Sequence, residues 1–199
     1  MSGEPTQCGT GSGAERMPRV VCRRTIHKGR RFDFEILAVR RSGGPVIERE
    51  VVRHPGAVVV VPVAGDGRVV LIRNHRVAVG ETLWECCAGT LEAGEDPAVC
   101  AGRELAEETG YAAGRIESLG WFYTTPGLTD ERMHAFVATD LRFVGQDLED
   151  DETIDVELVS TARAMEMIDR GELRDGKSMV ALLIAARRGL LGPGGRGGE

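Results

Sequence analysis

The alternation of apolar and polar positions divides the chain into short strands first and helices later. Residues 32–39 (FDFEILAV) and 46–52 (VIEREVV) read as two strands, with Arg41-Ser42-Gly43-Gly44-Pro45 as the turn of a hairpin between them. Residues 57–63 (AVVVVPV) are an almost unbroken β-branched run, the pattern of a strand covered on both faces. Asp66-Gly67 turns the chain into a further strand at 68–74 (RVVLIRN). A helix is predicted over Pro97–Thr109: Asp96 is a good N-cap, Pro97 suits the first turn, and Gly110 suits the residue just past the end. Strands recur near 116–123, 134–139 and 155–159, and helices near 161–170 and 177–188 follow. The elements mix without strict βαβ alternation, so the expected class is α+β, a mixed sheet covered by helices.

Residues 1–17 and 189–199, rich in glycine, are expected to be disordered tails. Between them lies neither a repeat nor a linker long enough to separate a pair of large domains, and 199 residues suit one domain with at most a small attachment. The net charge of -6 and pI near 5.4 argue against a nucleic-acid backbone as main partner, because bulk neutralisation of phosphates needs a basic surface. A few local arginines, or metals, can still hold a small anion. No run of about 18 apolar residues suggests a membrane span, and no apolar stretch near the N-terminus suggests secretion. The five cysteines (Cys8, Cys22, Cys86, Cys87 and Cys100) show neither CxxC spacing nor matching histidines. They read as reduced thiols, mostly small buried hydrophobes, in a cytoplasmic protein.

The chemistry concentrates in one segment, GTLEAGEDPAVCAGRELAEETGY, which runs from Gly89 to Tyr111. Gly89, Glu95, Arg103, Glu104, Leu105, Glu107, Glu108 and Gly110 fill every fixed position of the Nudix signature, and Tyr111 supplies its final apolar position. The segment therefore resembles that of the Nudix hydrolases. Glu104 and Glu108 are four apart on the predicted helix and leave the same face one turn apart, with Glu107 flanking them. Hard cations such as Mg²⁺ take carboxylate oxygens, keep several waters, and use the rest of their shell on substrate phosphates. The metal ligands expected are Ala88, through its carbonyl, Glu104, Glu107 and Glu108, with Mg²⁺ or alternatively Mn²⁺ as the ion. Gly89 would let the loop bring its backbone close to the metal, and Arg103, four before Glu107, could hold that glutamate as an ion pair. The plain alternative is a solvated acidic helix face, since glutamates favour helices wherever they point. Gly89, Glu95 and Gly110 in register weigh against it.

The resemblance extends over residues 27–188 to the ADP-ribose pyrophosphatase branch of the family. It is carried by HPGAVVVVPV, LIRNHRVAVGETLWE, the signature segment and FYTTPGLTDERMHAF, and by Pro126, sixteen residues past Gly110. It implies a Nudix-type αβα sandwich over 56–188 with a mixed β-sheet. An N-terminal antiparallel β segment, 18–55, would precede it and build a homodimer. It also implies a catalytic glutamate on a loop after the signature, for which Glu152 fits best, with Glu149, Asp151 and Glu131 as alternatives; Glu107 and Arg103 complete the catalytic set. Arg76 matches an arginine that such enzymes place on the diphosphate, a task suited to a forked donor. Arg49, Glu50 and Arg53 could reach the nucleoside or terminal ribose, or could be plain surface charges.

Two departures stand out. Cys86-Cys87 precede Ala88 where the family commonly has a proline, and no tryptophan in the N-terminal segment can stack on a base, leaving Phe32 or Phe34. The activity implied is metal-dependent hydrolysis of ADP-ribose or another ADP-sugar to AMP and a sugar phosphate. The competing readings are a broader nucleotide-sugar pyrophosphatase acting on GDP-mannose or UDP-glucose, and a non-catalytic module that senses ADP-ribose.

Overall fold

The computed structural model describes residues 17–148 and 153–192; the remainder of both expected tails, and Glu149, Asp151 and Glu152, lie outside the described residues. The chain forms two compact units, one comprising Met1–His54 with Gly127–Thr129 and the other Pro55–Pro126 with Asp130–Glu199.

The first unit is an antiparallel sheet in the order β1 (Arg19–Lys28), β2 (Asp33–Arg40), β3 (Val46–Arg53). The hairpin expected from 32–52 is β2–β3, and Gly44 N donates to Arg41 O at 3.0 Å across its turn. β1 is an addition to the sequence reading. Its segment RVVCRRTIHK has no clean alternation, and register shifts between Val20 and Cys22 and between Thr25 and His27 bulge the strand. In the same unit Val52 N donates to Leu128 O at 3.0 Å, which ties the 127–129 segment to β3.

In the second unit the run at 57–63 becomes β4 (Ala57–Pro62), every residue of it buried. β5 (Arg68–Arg76), β6 (Glu81–Glu85) and β7 (Cys87–Thr90) follow, then α1 (Pro97–Thr109), β8 (Tyr111–Tyr123), β9 (Arg132–Phe143), β10 (Ile154–Ser160), α2 (Thr161–Asp169) and α3 (Gly176–Arg187). A mixed sheet runs β7-β4-β9-β8 with β4 parallel to β9, and an antiparallel sheet runs β10-β5-β6. The two-residue period of β4 separates two cores. Val58 and Val60 meet Cys100, Ala101 and Leu105 of α1. Val59 and Val61 share the other core with Leu71 of β5, Met167 of α2 and Leu182 of α3. Helices thus cover sheet on both sides, which is the αβα sandwich expected.

Several boundaries differ from the sequence reading. β8 and β9 extend well beyond 116–123 and 134–139 because they pair with each other from Tyr111↔Phe143 to Tyr123↔Arg132. β6 and β7 are further additions to that reading. Leu190 lies in the segment assigned to the tail but is buried, with its N–H on Ala185 O at 3.0 Å, so apolar packing outweighs the glycines around it. Cys86, Cys87 and Cys100 are buried as small hydrophobes, whereas Cys22 is exposed.

Candidate active site

The helix of the signature segment begins as its sequence dictates. The Asp96 carboxylate accepts from Ala98 N at 2.8 Å, and Gly110 closes the helix at φ 74°, a conformation that glycine adopts without strain. Leu105, Ala101 and Cys100 bury one face of α1, which fixes its rotation. Glu108 is thereby turned inward, 3% exposed, and its Oε2 accepts from Ala88 N of β7 at 2.9 Å. Glu104 comes so close to the next residue of that strand that a Cβ on Gly89 would stand 1.8 Å from its Cδ. Gly89 therefore leaves the space that the Glu104 carboxylate occupies, and its neighbour Ala88 sits between β4 and the glutamates of α1.

Arg103 organises the carboxylates. Its Nε and Nη2 fork onto the two oxygens of Glu95, both at 3.1 Å, while Nη1 lies 2.8 Å from Glu104 Oε1 and 2.9 Å from Glu107 Oε2. The fork is the geometry guanidinium makes best, and it supplies directional bonds that a lysine could not. The Arg103 hydrogen bond draws the Glu95 carboxyl down to about 2, and the same pair holds Arg103 firmly in its charged form. In the sequence Glu95 stands only as a matched position; its role as the clamp on Arg103 is evident only in three dimensions. Arg103 Nη2 also donates to Cys100 Sγ at 3.4 Å, but burial pushes that thiol up to about 12.

Cys86, between β6 and β7, packs into the core shared with α3, and Cys87, the first residue of β7, into the core beneath α1. Burial raises both thiols, Cys86 to about 12, so they act as packing groups where the missing proline would stand.

A NUDIX domain model matches residues 52–182, which holds the whole arrangement of α1 and β7. The chain belongs to the Nudix family. An "ADP-ribose pyrophosphatase" of Bacillus subtilis (strain 168) is 34% identical over 166 residues, 82% of this chain and 90% of that relative. A "GDP-mannose pyrophosphatase" of Salmonella typhimurium is 37% identical over 155 residues, 71% of this chain and 80% of that relative. The crystal structure of an ADP compounds hydrolase superposes with a TM-score of 0.75 at 23% identity, covering 88% of this chain and 96% of the other, and shows the common fold. The chain is a Nudix hydrolase of the ADP-ribose pyrophosphatase-like kind, as the signature segment and its flanks implied.

Nudix hydrolases generally use divalent metal ions. Among the described residues no three or more His, Cys, Asp or Glu side chains are gathered closely enough to hold a metal by themselves. A cation here needs backbone, water or phosphate oxygens as well, which is how Mg²⁺ commonly binds. The residues fit such an ion. Glutamates 104, 107 and 108 offer hard oxygens within one turn of α1, and the missing side chain of Gly89 makes the room in which the Glu104 carboxylate lies against the strand.

Arg76 ends β5, and its Nε and Nη2 reach Oε1 and Oε2 of Glu85 at 2.7 and 2.6 Å. Glu85 and its second partner Lys177 carry no role in the sequence alone; a lone carboxylate between Trp84 and Cys86-Cys87 is the signal that marks the former. In the first unit Arg49 and Arg53 share one face of β3 and Glu50 takes the other, since successive strand residues alternate. Arg53 pairs with Glu35 at 2.8 Å, and Arg49 donates to Glu48 O at 3.1 Å. Phe32 stacks on His54 with ring centroids 4.8 Å apart, and Phe34 is exposed. Glu131, an alternative for the base, accepts from the Thr124 hydroxyl and helps line a cleft of about 420 Å³ with Tyr123, Thr125, Asp175 and Lys177. Glu152 lies outside the described residues.

Proposed function

We propose that this Nudix hydrolase splits the diphosphate of ADP-ribose, or of a close ADP-sugar, into AMP and a sugar phosphate. The observation that carries the reaction type is the Glu104–Gly89 contact: the Glu104 carboxylate is packed against β7 at a residue with no side chain to displace it. The substrate class is supported by similarity to the ADP-ribose pyrophosphatase of Bacillus subtilis. Similarity to the GDP-mannose pyrophosphatase supports a second reading, a broader action on nucleotide sugars.

Glu104, Glu108, Glu107 and the Ala88 carbonyl would hold Mg²⁺ or Mn²⁺. Divalent cations supply positive charge beside a diphosphate and make a neighbouring water more acidic. Arg103 keeps Glu104 and Glu107 in fixed positions by its bonds to both. Arg76 meets the diphosphate oxygens, and Glu152 accepts the proton of the attacking water. The water oxygen bonds to one phosphorus as that atom's bond to the bridging oxygen breaks. Rate enhancement rests chiefly on charge placed in advance around the transition state. The N-terminal sheet would pair with a second copy, and Arg49, Glu50 and Arg53 would face the nucleoside or terminal ribose.

The test is product release by the purified chain from ADP-ribose, GDP-mannose and UDP-glucose, with and without Mg²⁺. AMP formed fastest from ADP-ribose, and only with metal, is the expected result. Faster turnover of another nucleotide sugar would overturn the ADP preference and leave the reaction standing. No turnover of any of them by folded protein, with Mg²⁺ or Mn²⁺, would overturn the hydrolase assignment in favour of a sensing module.

A further inference from the structure

Glu85 is a buried carboxylate outside the signature segment, 0% exposed, and it carries two cations. Ion clusters of this kind seldom add stability over well-packed apolar residues, because each charge has first to be stripped of water. What such a cluster does fix is direction. Arg76 gives Glu85 its Nε and Nη2 edge, at 2.7 and 2.6 Å, which sets the plane of the guanidinium. The Nη1 end makes no hydrogen bond among the described residues, and the side chain is 38% exposed.

The second cation is built in from the far end of the unit. Lys177 Nζ lies 2.5 Å from Glu85 Oε2 and 2.9 Å from Asp175 Oδ1. Asp175 caps α3, its Oδ2 accepting from Ser178 N at 3.0 Å and from Ser178 Oγ at 2.5 Å. Ser178 Oγ in turn accepts from Cys86 N at 2.8 Å, two residues before Ala88. Arg76, Glu85, Lys177 and the strand that leads to the glutamates of α1 are thus linked by hydrogen bonds.

We infer that Glu85 is a positioning residue for substrate binding. It holds Arg76 with the Nη1 end presented to the diphosphate, and Lys177 keeps the buried carboxylate neutralised while Arg76 shares its charge with that anion. The inference rests on the reading of Arg76 as a diphosphate contact. Without Lys177, a phosphate drawing on Arg76 would leave Glu85 buried with only a shared charge to offset it, a costly arrangement. With Lys177 in place, the arginine serves both anions through different edges.

The experiment is a double-mutant cycle on the full chain: wild type, Arg76→Ala, Glu85→Gln, and both together. KM, kcat and melting temperature are measured with Mg²⁺ on whichever of ADP-ribose, GDP-mannose and UDP-glucose turns over fastest. Arg76→Ala should raise KM about tenfold or more with little change in kcat, the mark of a lost binding contact. Glu85→Gln should raise KM in the same sense and add nothing once Arg76 is absent. An unchanged KM in Glu85→Gln, or an increase that persists in full on the Arg76→Ala background, overturns the positioning role and leaves the Arg76 contact intact. An unchanged KM in Arg76→Ala overturns that contact, and the positioning role with it. Should Glu85→Gln not fold, Lys177→Met replaces it in the cycle with the same expected dependence on Arg76 and the same refuting results.

Discussion

Gly89→Ala is the sharpest single perturbation of the site. The added methyl would stand 1.8 Å from Glu104 Cδ and 1.9 Å from its Oε1. Ordinary contact begins near 3.4 Å, so the carboxylate must retreat by about 1.6 Å, the difference between 3.4 and 1.8. Gly89 is not among the glycines with positive φ, so alanine fits the backbone there without strain. The cost in stability is the weakened 2.8 Å bond from Arg103 to Glu104, about 1.5–3 kcal/mol if lost altogether, offset by about 0.4–1 kcal/mol from a less flexible unfolded chain. Net destabilisation of about 1–2 kcal/mol lowers the melting temperature by a few degrees. The cost in activity is larger, because a misplacement of about 1 Å in a catalytic array already loses about a hundredfold. The variant should therefore keep its fold, lose at least about a hundredfold in kcat/KM, and need more Mg²⁺ for half-maximal rate. Steady-state kinetics over a Mg²⁺ titration, beside a thermal melt, measure all three. A Gly89→Ala protein within about threefold of wild type would refute the claim that the Glu104–Gly89 contact places a catalytic carboxylate.

Three further outcomes follow from the same geometry. Glu108→Gln keeps an oxygen for Ala88 N but removes the buried charge, so turnover should fall about a thousandfold or more, roughly 4 kcal/mol, while the melting temperature holds or rises; a tenth of wild-type turnover would contradict it. Leu105→Ala empties the middle of the core between α1 and β4 and should cost about 2–5 kcal/mol by denaturant unfolding; a loss under about 1 kcal/mol would mean that α1 is held by something other than this core. Glu95 is held down at about 2 against 4.5 for the free side chain, so its contribution to stability is complete above pH 4.5 and disappears as pH falls toward 2. Melts of wild type and Glu95→Gln should accordingly differ at neutral pH and converge near pH 2; a constant gap would detach the effect from the carboxylate's charge.

The parts of the fold that were legible in the sequence are those whose signals are local. Asp96, Pro97 and Gly110 bound α1 at both ends because capping is settled within a few residues. The β4 run announces burial on both faces by composition alone. β7 was invisible because its four residues, CAGT, acquire strand geometry from pairing with β4, not from their own preferences. The spacing of Glu104 and Glu108 gave their common face, but the inward turn of Glu108 depends on how Leu105 packs. The clamp of Glu95 on Arg103 closes eight residues away across a loop and a turn of helix. Glu85, Arg76 and Lys177 come from three separate elements, and no local pattern links them.

The bond from Cys86 N to Ser178 Oγ joins residues 92 positions apart. During synthesis the chain emerges N-terminus first, and contacts of such separation form late because the loop must close before they repay its entropy. The signature helix and its strand can be assembled while Lys177 and Ser178 are still to come, leaving Glu85 with one counter-charge and the Cys86 amide without its acceptor. A nascent or clipped chain lacking α3 would thus hold a nearly whole catalytic sequence that does not yet work, and competence would arrive with the docking of α3.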